Sequence, residues 1–199
     1  MVHILQQQES HGGRYNRRHM SHYRLIEKQV VFKGKKVRLE VDRLENEETQ
    51  LEVRREVVVH PGAVVILPVM EDSRLLLIRN HRYSVQQVLI ELPAGTLEKG
   101  EDPMNCAGRE LLEETGYLAG KLQRIGAFFS SPGILTEKLY AFAAYHLEKK
   151  VSALEEDEEI EIMPVLFDDA LKMIDTGEIM DAKTIATLLM YERLHRAPT

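Results

Sequence analysis

A chain of 199 residues with 44% hydrophobic and 29% charged side chains is long enough to bury one sizeable core. A formal net charge of -6 argues against general binding to nucleic acid or to an anionic membrane, and no apolar run approaches the roughly 20 residues that a membrane span needs. The single cysteine, Cys106, excludes an intrachain disulfide framework and fits a reducing, cytoplasmic compartment.

Residues 1–19 are polar, carry three histidines and precede Met20, and read as a disordered leader rather than part of the fold. Residues 23–44 alternate apolar and polar side chains around Gly34, which predicts a hairpin, and residues 51–59 continue the strand pattern. Residues 20–58 are therefore expected to form an N-terminal antiparallel β extension. The runs PGAVVILPVM and LLLIRN, parted by the turn EDSR, predict short buried strands, and VLIELPAG predicts another that runs directly into an acidic segment. Past that segment, LYAFAAYHLE and IEIMPVLF read as strands. DDALKMID and DAKTIATLLMYERLHR have helical spacing with acidic starts, the second with basic residues near its end. Residues 59–199 thus predict a mixed α/β domain.

The acidic segment GTLEKGEDPMNCAGRELLEETGY holds the chemistry. Asp102 followed by Pro103 is a good helix start and Gly116 a good stop, so a helix is expected over about 103–115. At roughly 100° per residue, Glu110, Glu113 and Glu114 share one face while Leu111 and Leu112 turn away. Like charges at this spacing repel, so something should compensate them. Arg109 can reach Glu113, its i+4 neighbour, and a divalent cation would neutralise the rest; hard oxygen donors select Mg²⁺ or Mn²⁺. The plain alternative is a solvated acidic surface helix.

Spacing argues for the cation. Gly95, Glu101, Arg109, Glu110, Leu111, Glu113, Glu114, Gly116 and Tyr117 match the pattern Gx5Ex7REUxEExGU, with U a bulky apolar residue. In this the sequence resembles the Nudix hydrolases, whose signature this is. The resemblance implies a Nudix fold, an α/β/α sandwich with a mixed sheet. It also implies Mg²⁺ (with Mn²⁺ as a substitute) held by Glu110, Glu114 and the Ala94 carbonyl, and attack of water on a diphosphate linked to another moiety. Glu113 would take a secondary part, and Glu101 and Arg109 would pair to hold the loop against the helix.

Sixteen residues beyond Gly116 stands Pro132, in the run SSPGILTEKLYAFAA. Together with LIELPAGTLEKGE, VRREVVVHPGAV and GEIMDAKTIATLLMYERL, this resembles the ADP-ribose pyrophosphatase subgroup of the family. That resemblance implies Arg55 and Arg82 facing the two phosphates, Glu137 facing the terminal ribose, and Gly133 allowing the backbone close approach. A structural reading is a Pro132-Gly133 turn and two arginines in surface ion pairs. The acidic run LEEDEEIEI would supply Glu156 as the base and Glu158 as an additional metal ligand, though the acids from Glu155 to Glu159 leave the register open by one or two.

The expected activity is Mg²⁺-dependent hydrolysis of ADP-ribose to AMP and ribose 5-phosphate by a homodimer. The alternatives are hydrolysis of another nucleoside diphosphate sugar, or an ADP-ribose-sensing module without turnover. The sensing module is disfavoured because all the signature carboxylates are retained.

Overall fold

The computed structural model describes residues 22–150 and 160–195. The expected leader, residues 1–19, lies outside them. Ten strands and three helices follow one another among the described residues. β1 (Tyr23–Lys33), β2 (Arg38–Asn46) and β3 (Glu52–Val59) form one antiparallel sheet, with the Gly34 amide closing the first turn onto the Val37 carbonyl at 2.8 Å. β4 (Ala63–Pro68), β7 (Ala94–Thr96), β8 (Tyr117–Phe129) and β9 (Lys138–Lys149) form a mixed sheet in the order β7-β4-β9-β8. β5 (Arg74–Arg82), β6 (Gln87–Glu91) and β10 (Ile160–Leu166) form a third, in the order β10-β5-β6.

The strand β4 explains its own uninterrupted apolar sequence, since both of its faces are buried. Val64 and Ile66 pack on one side with Cys106, Ala107 and Leu111 of α1 (Pro103–Thr115). Val65 and Leu67 pack on the other with Ala170 of α2 (Phe167–Asp175) and Leu188 of α3 (Ala182–His195). Two cores on opposite faces of one strand make the α/β/α sandwich, and each fully buried aliphatic side chain contributes about 1.5–3 kcal/mol. β4 runs parallel to β9 and antiparallel to β7, so the sheet is mixed, as expected.

β8 is a strand that the sequence pattern does not announce. It pairs along its length with β9 but carries Gly120, Gly126 and a register shift between Arg124 and Gly126, which break the alternation. The β1–β3 sheet touches the rest through a bridge from Val58 to Leu135, and β1 is exposed along nearly its whole length.

Candidate active site

α1 begins and ends where its terminal residues require. The Asp102 carboxylate accepts from the amides of Met104 at 2.9 Å and Asn105 at 3.3 Å, satisfying donors that have no partner within the helix. At the other end Gly116 adopts a left-handed φ of 69° and its amide donates to the Leu112 carbonyl. Leu111 is fully buried on the sheet side, which fixes the rotation of the helix and turns its glutamates toward the β7 edge.

Three contacts join those glutamates to the chain before the helix. Glu114, only 4% exposed, accepts from the Ala94 amide at 2.9 Å. The Glu110 carboxyl lies against Gly95 so closely that a Cβ there would come within 1.8 Å of its Cδ. Arg109 gathers three carboxylates: its Nε and Nη2 each donate to Glu101 at 3.1 Å, and its Nη1 lies 2.9 Å from Glu110 and 2.8 Å from Glu113. The pairing of Glu101 with Arg109 expected from the sequence is present, and Glu101 also accepts from the Glu98 amide at 2.9 Å. Hydrogen bonds from Arg109 hold the Glu101 carboxyl down at about 2. Cys106 sits behind this cluster, where burial first, then the charges of Glu101 and Glu110, push its thiol up to about 12.

Two cavities meet at β7. One, of about 560 Å³, has Glu110, Glu113 and Glu114 on one wall and Arg82 with Lys35 and Lys36 of the β1–β2 turn on others. The second, of about 460 Å³, lies between the sheet and the start of α3 and is lined by Phe128, Phe129, Glu137, Asp181 and Lys183. Arg82, Ala94, Gly95 and Thr96 border both. The structure therefore brings Ala94, Glu110, Glu114, Arg82 and Glu137 to one cleft.

Arg55 lies on exposed β3, its Nη1 donating to the Arg54 carbonyl at 2.9 Å, and lines neither cavity. Pro132 and Gly133 form an exposed turn closed by the Ile134 amide on the Ser131 carbonyl at 3.1 Å, and they too lie outside both cavity walls. A Cβ at Gly133 would meet nothing within 4 Å. Glu156 and Glu158 lie outside the described residues.

Arg82 is not free-standing. Its Nε and Nη2 donate to the buried Glu91 carboxylate at 2.8 and 2.5 Å, and Lys183 Nζ donates to the same carboxylate at 2.6 Å. Neither Glu91 nor Lys183 was singled out from the sequence. An acid set within the apolar run VLIELPA was the available signal, because a buried carboxylate demands cations.

Carboxylates with no histidine or cysteine ligand among them are the donors of a hard divalent cation. Among the described residues no three acidic, histidine or cysteine side chains are placed together to hold a metal ion, and Glu110 and Glu113 are both paired with Arg109. The donor chemistry of Glu110 and Glu114 beside the Gly95 cradle fits such a cation.

A sequence profile of the NUDIX domain matches residues 59–188. The chain is 41% identical over 174 residues to the protein named ADP-ribose pyrophosphatase in Bacillus subtilis (strain 168), covering 86% of this chain and 93% of that one. Over the same span and shares it is 36% identical to the methanol dehydrogenase activator of Bacillus methanolicus. A GDP-mannose pyrophosphatase of Yersinia pestis (strain Pestoides F) is 37% identical over 147 residues, 69% of this chain and 73% of its own. In three dimensions the chain superposes on a crystal structure described as an ADP compounds hydrolase with a TM-score of 0.78 at 20% identity, covering 87% of this chain and 94% of that one, which shows the shared fold. These matches make the protein a hydrolase of a class that generally uses divalent ions. The chain belongs to the Nudix family.

Proposed function

We propose that the protein hydrolyses the diphosphate of ADP-ribose, in the presence of Mg²⁺ or Mn²⁺, to AMP and ribose 5-phosphate. The observation that carries this reading is the cleft in which Glu110 and Glu114 of α1 stand against Ala94 and Gly95 with Arg82 opposite. Similarity to the B. subtilis ADP-ribose pyrophosphatase over most of the chain supports the choice of substrate. Similarity to GDP-mannose pyrophosphatases favours, as a second reading, another nucleoside diphosphate sugar as the preferred substrate. Retention of every signature carboxylate argues against a sensing module without turnover.

In this reading Arg82 binds a phosphoryl oxygen, Glu137 faces the terminal ribose, and Pro132 with Gly133 shapes the loop beside it. Glu110, Glu114, the Ala94 carbonyl and Glu158 would hold a divalent ion, which would withdraw charge from the diphosphate oxygens and make water easier to deprotonate. Glu156 accepts the water proton, the water oxygen bonds to phosphorus, and the bridging P–O bond breaks toward the departing phosphate. Arg109 braces the carboxylates and Glu101 braces Arg109.

We further propose that residues 20–58 are an extension to the domain formed by residues 59–199, and that they pair two chains into a homodimer. Exposed β1 supports this, with Leu25, Val30, Val31 and Phe32 each roughly half open to solvent. Arg55, which lines neither cavity of its own chain, would then serve the partner's. A chain whose one cysteine is buried suits a reducing cytoplasm.

The test is a panel of nucleoside diphosphate compounds incubated with Mg²⁺, with and without EDTA, and resolved into products by chromatography. AMP with ribose 5-phosphate, formed only without EDTA, is expected. Glu114→Gln should lower kcat by about 100-fold or more. Turnover at the normal rate in that variant would remove Glu114 from the proposed metal site.

A further inference from the structure

His60 follows directly on β3, and its side chain, only 10% exposed, touches Glu137 on the wall of the 460 Å³ cavity. The segment that carries it is tied to the loop that carries Glu137. The Val58 amide donates to the Ile134 carbonyl at 2.8 Å, the Thr136 amide to the Val58 carbonyl at 3.0 Å, and the His60 amide to the Thr136 hydroxyl oxygen at 2.9 Å. Backbone and side chain thus bring a histidine from the end of one sheet against an acid that borders the cleft.

The imidazole is oriented from its other side. Its Nδ1 accepts from the Gly62 amide at 3.1 Å, in a turn where Gly62 takes a φ of 106° and a Cβ would come within 3.2 Å of the Lys138 carbonyl oxygen. A ring nitrogen that accepts carries no proton, so this bond selects the tautomer with its hydrogen on Nε2. Glu137 Oε1 lies 3.5 Å from the same Nδ1. That oxygen therefore faces a lone pair already engaged elsewhere, with no proton between them to make a hydrogen bond. Among the described residues no side chain or amide donates to the Glu137 carboxylate, whereas Asp181, the other acid on this cavity wall, is paired with Lys183 and Thr184. A carboxylate that is 21% exposed and lacks an internal donor takes its donors from whatever enters the cavity.

We propose that His60 is a positioning residue: its imidazole, locked by the Gly62 amide, withholds a proton from Glu137 and keeps that carboxylate open toward the cavity. The ligand group this arrangement suits is a sugar with free neighbouring hydroxyls, which supplies hydrogen-bond donors to both oxygens. The inference rests on the reading of the protein as a hydrolase of nucleoside diphosphate sugars in which Glu137 faces the terminal ribose.

A double-mutant cycle on the full chain tests it. In steady-state kinetics with ADP-ribose and Mg²⁺, His60→Leu should raise KM by about tenfold with kcat within about threefold, and the same change in a Glu137→Ala background should alter KM by less than about twofold. His60→Asn, whose amide oxygen can still accept from Gly62, should return KM to within about threefold of the wild type. An unchanged KM in His60→Leu, or an equal rise in both backgrounds, would overturn the proposal and make His60 a packing residue. A loss in His60→Asn as large as in His60→Leu would overturn it too, because the lock on Nδ1 would then not matter. Nitrogen NMR of the wild type needs no variant to fold: the His60 ring should show a bare Nδ1 and a hydrogen on Nε2, and a proton on Nδ1 would refute the arrangement. Read as Kd for α,β-methylene-ADP-ribose with Mg²⁺ by calorimetry, the same cycle is independent of turnover. Coupling of His60 to Glu137 in a protein that cleaves nothing in the panel would sink the hydrolase reading and leave the role of His60 standing. Normal turnover with additive effects would do the reverse.

Discussion

Gly95 illustrates how single residues set the cleft. It needs no unusual backbone angle; it needs to lack a side chain, because the Glu110 carboxyl fills the space a Cβ would take. Gly95→Ala should displace that carboxyl while disturbing little else, so the expected result is a loss of about 100-fold in kcat with a melting temperature close to wild type. Unchanged turnover would mean that Glu110 has no fixed part in catalysis. Residues of this kind were readable from the sequence, because Gly95, Arg109, Glu110 and Glu114 stand at spacings that a helix and its approach convert directly into neighbours. Glu91 and Lys183 were not, since they lie 92 positions apart and only the docking of α3 on the sheet joins them. Arg55 is a different case: its residue type suits phosphate, and within one chain it lines neither cavity, so only a second chain could bring it to a cleft.

At the scale of the element, α1 and the loop before it form one clasp fastened by Glu101 and Arg109. The Glu101 carboxyl falls from an ordinary 4.5 to about 2 because Arg109 favours its charged form. A lowered pKa means that this contribution to stability is complete above pH 4.5 and drains away as pH falls through about 2. Melting curves of the wild type and Glu101→Gln should therefore differ most above pH 4.5 and converge toward pH 2. A gap that is constant with pH would show that the ion pair is not what holds the loop. The limits of α1 were legible because Asp102, Pro103 and Gly116 each satisfy a terminal requirement locally. β8 was not, because its two glycines and its register shift suit a bent strand whose identity depends on β9 beside it. Likewise the parallel pairing of β4 with β9 joins segments some 75 residues apart, and no local pattern encodes it.

For the whole molecule, the open question of assembly turns on β1. An edge strand with Leu25, Val30, Val31 and Phe32 exposed invites pairing with a second chain. Light scattering should return about twice the 22.9 kDa of one chain, and Val30→Asp with Phe32→Asp should shift the population to monomer. Turnover should fall with it if Arg55 serves a neighbouring cleft, and a wild type that is monomeric at every concentration would refute the pairing. The strand β4, buried on both faces, has a further bearing. The acids come from the layer on one of its sides and Lys183 from the layer on the other, while Arg82 and Glu91 arrive on a separate sheet. No contiguous fragment therefore carries a working half, and a protease nick followed by separation anywhere between positions 82 and 183 would leave two inert pieces.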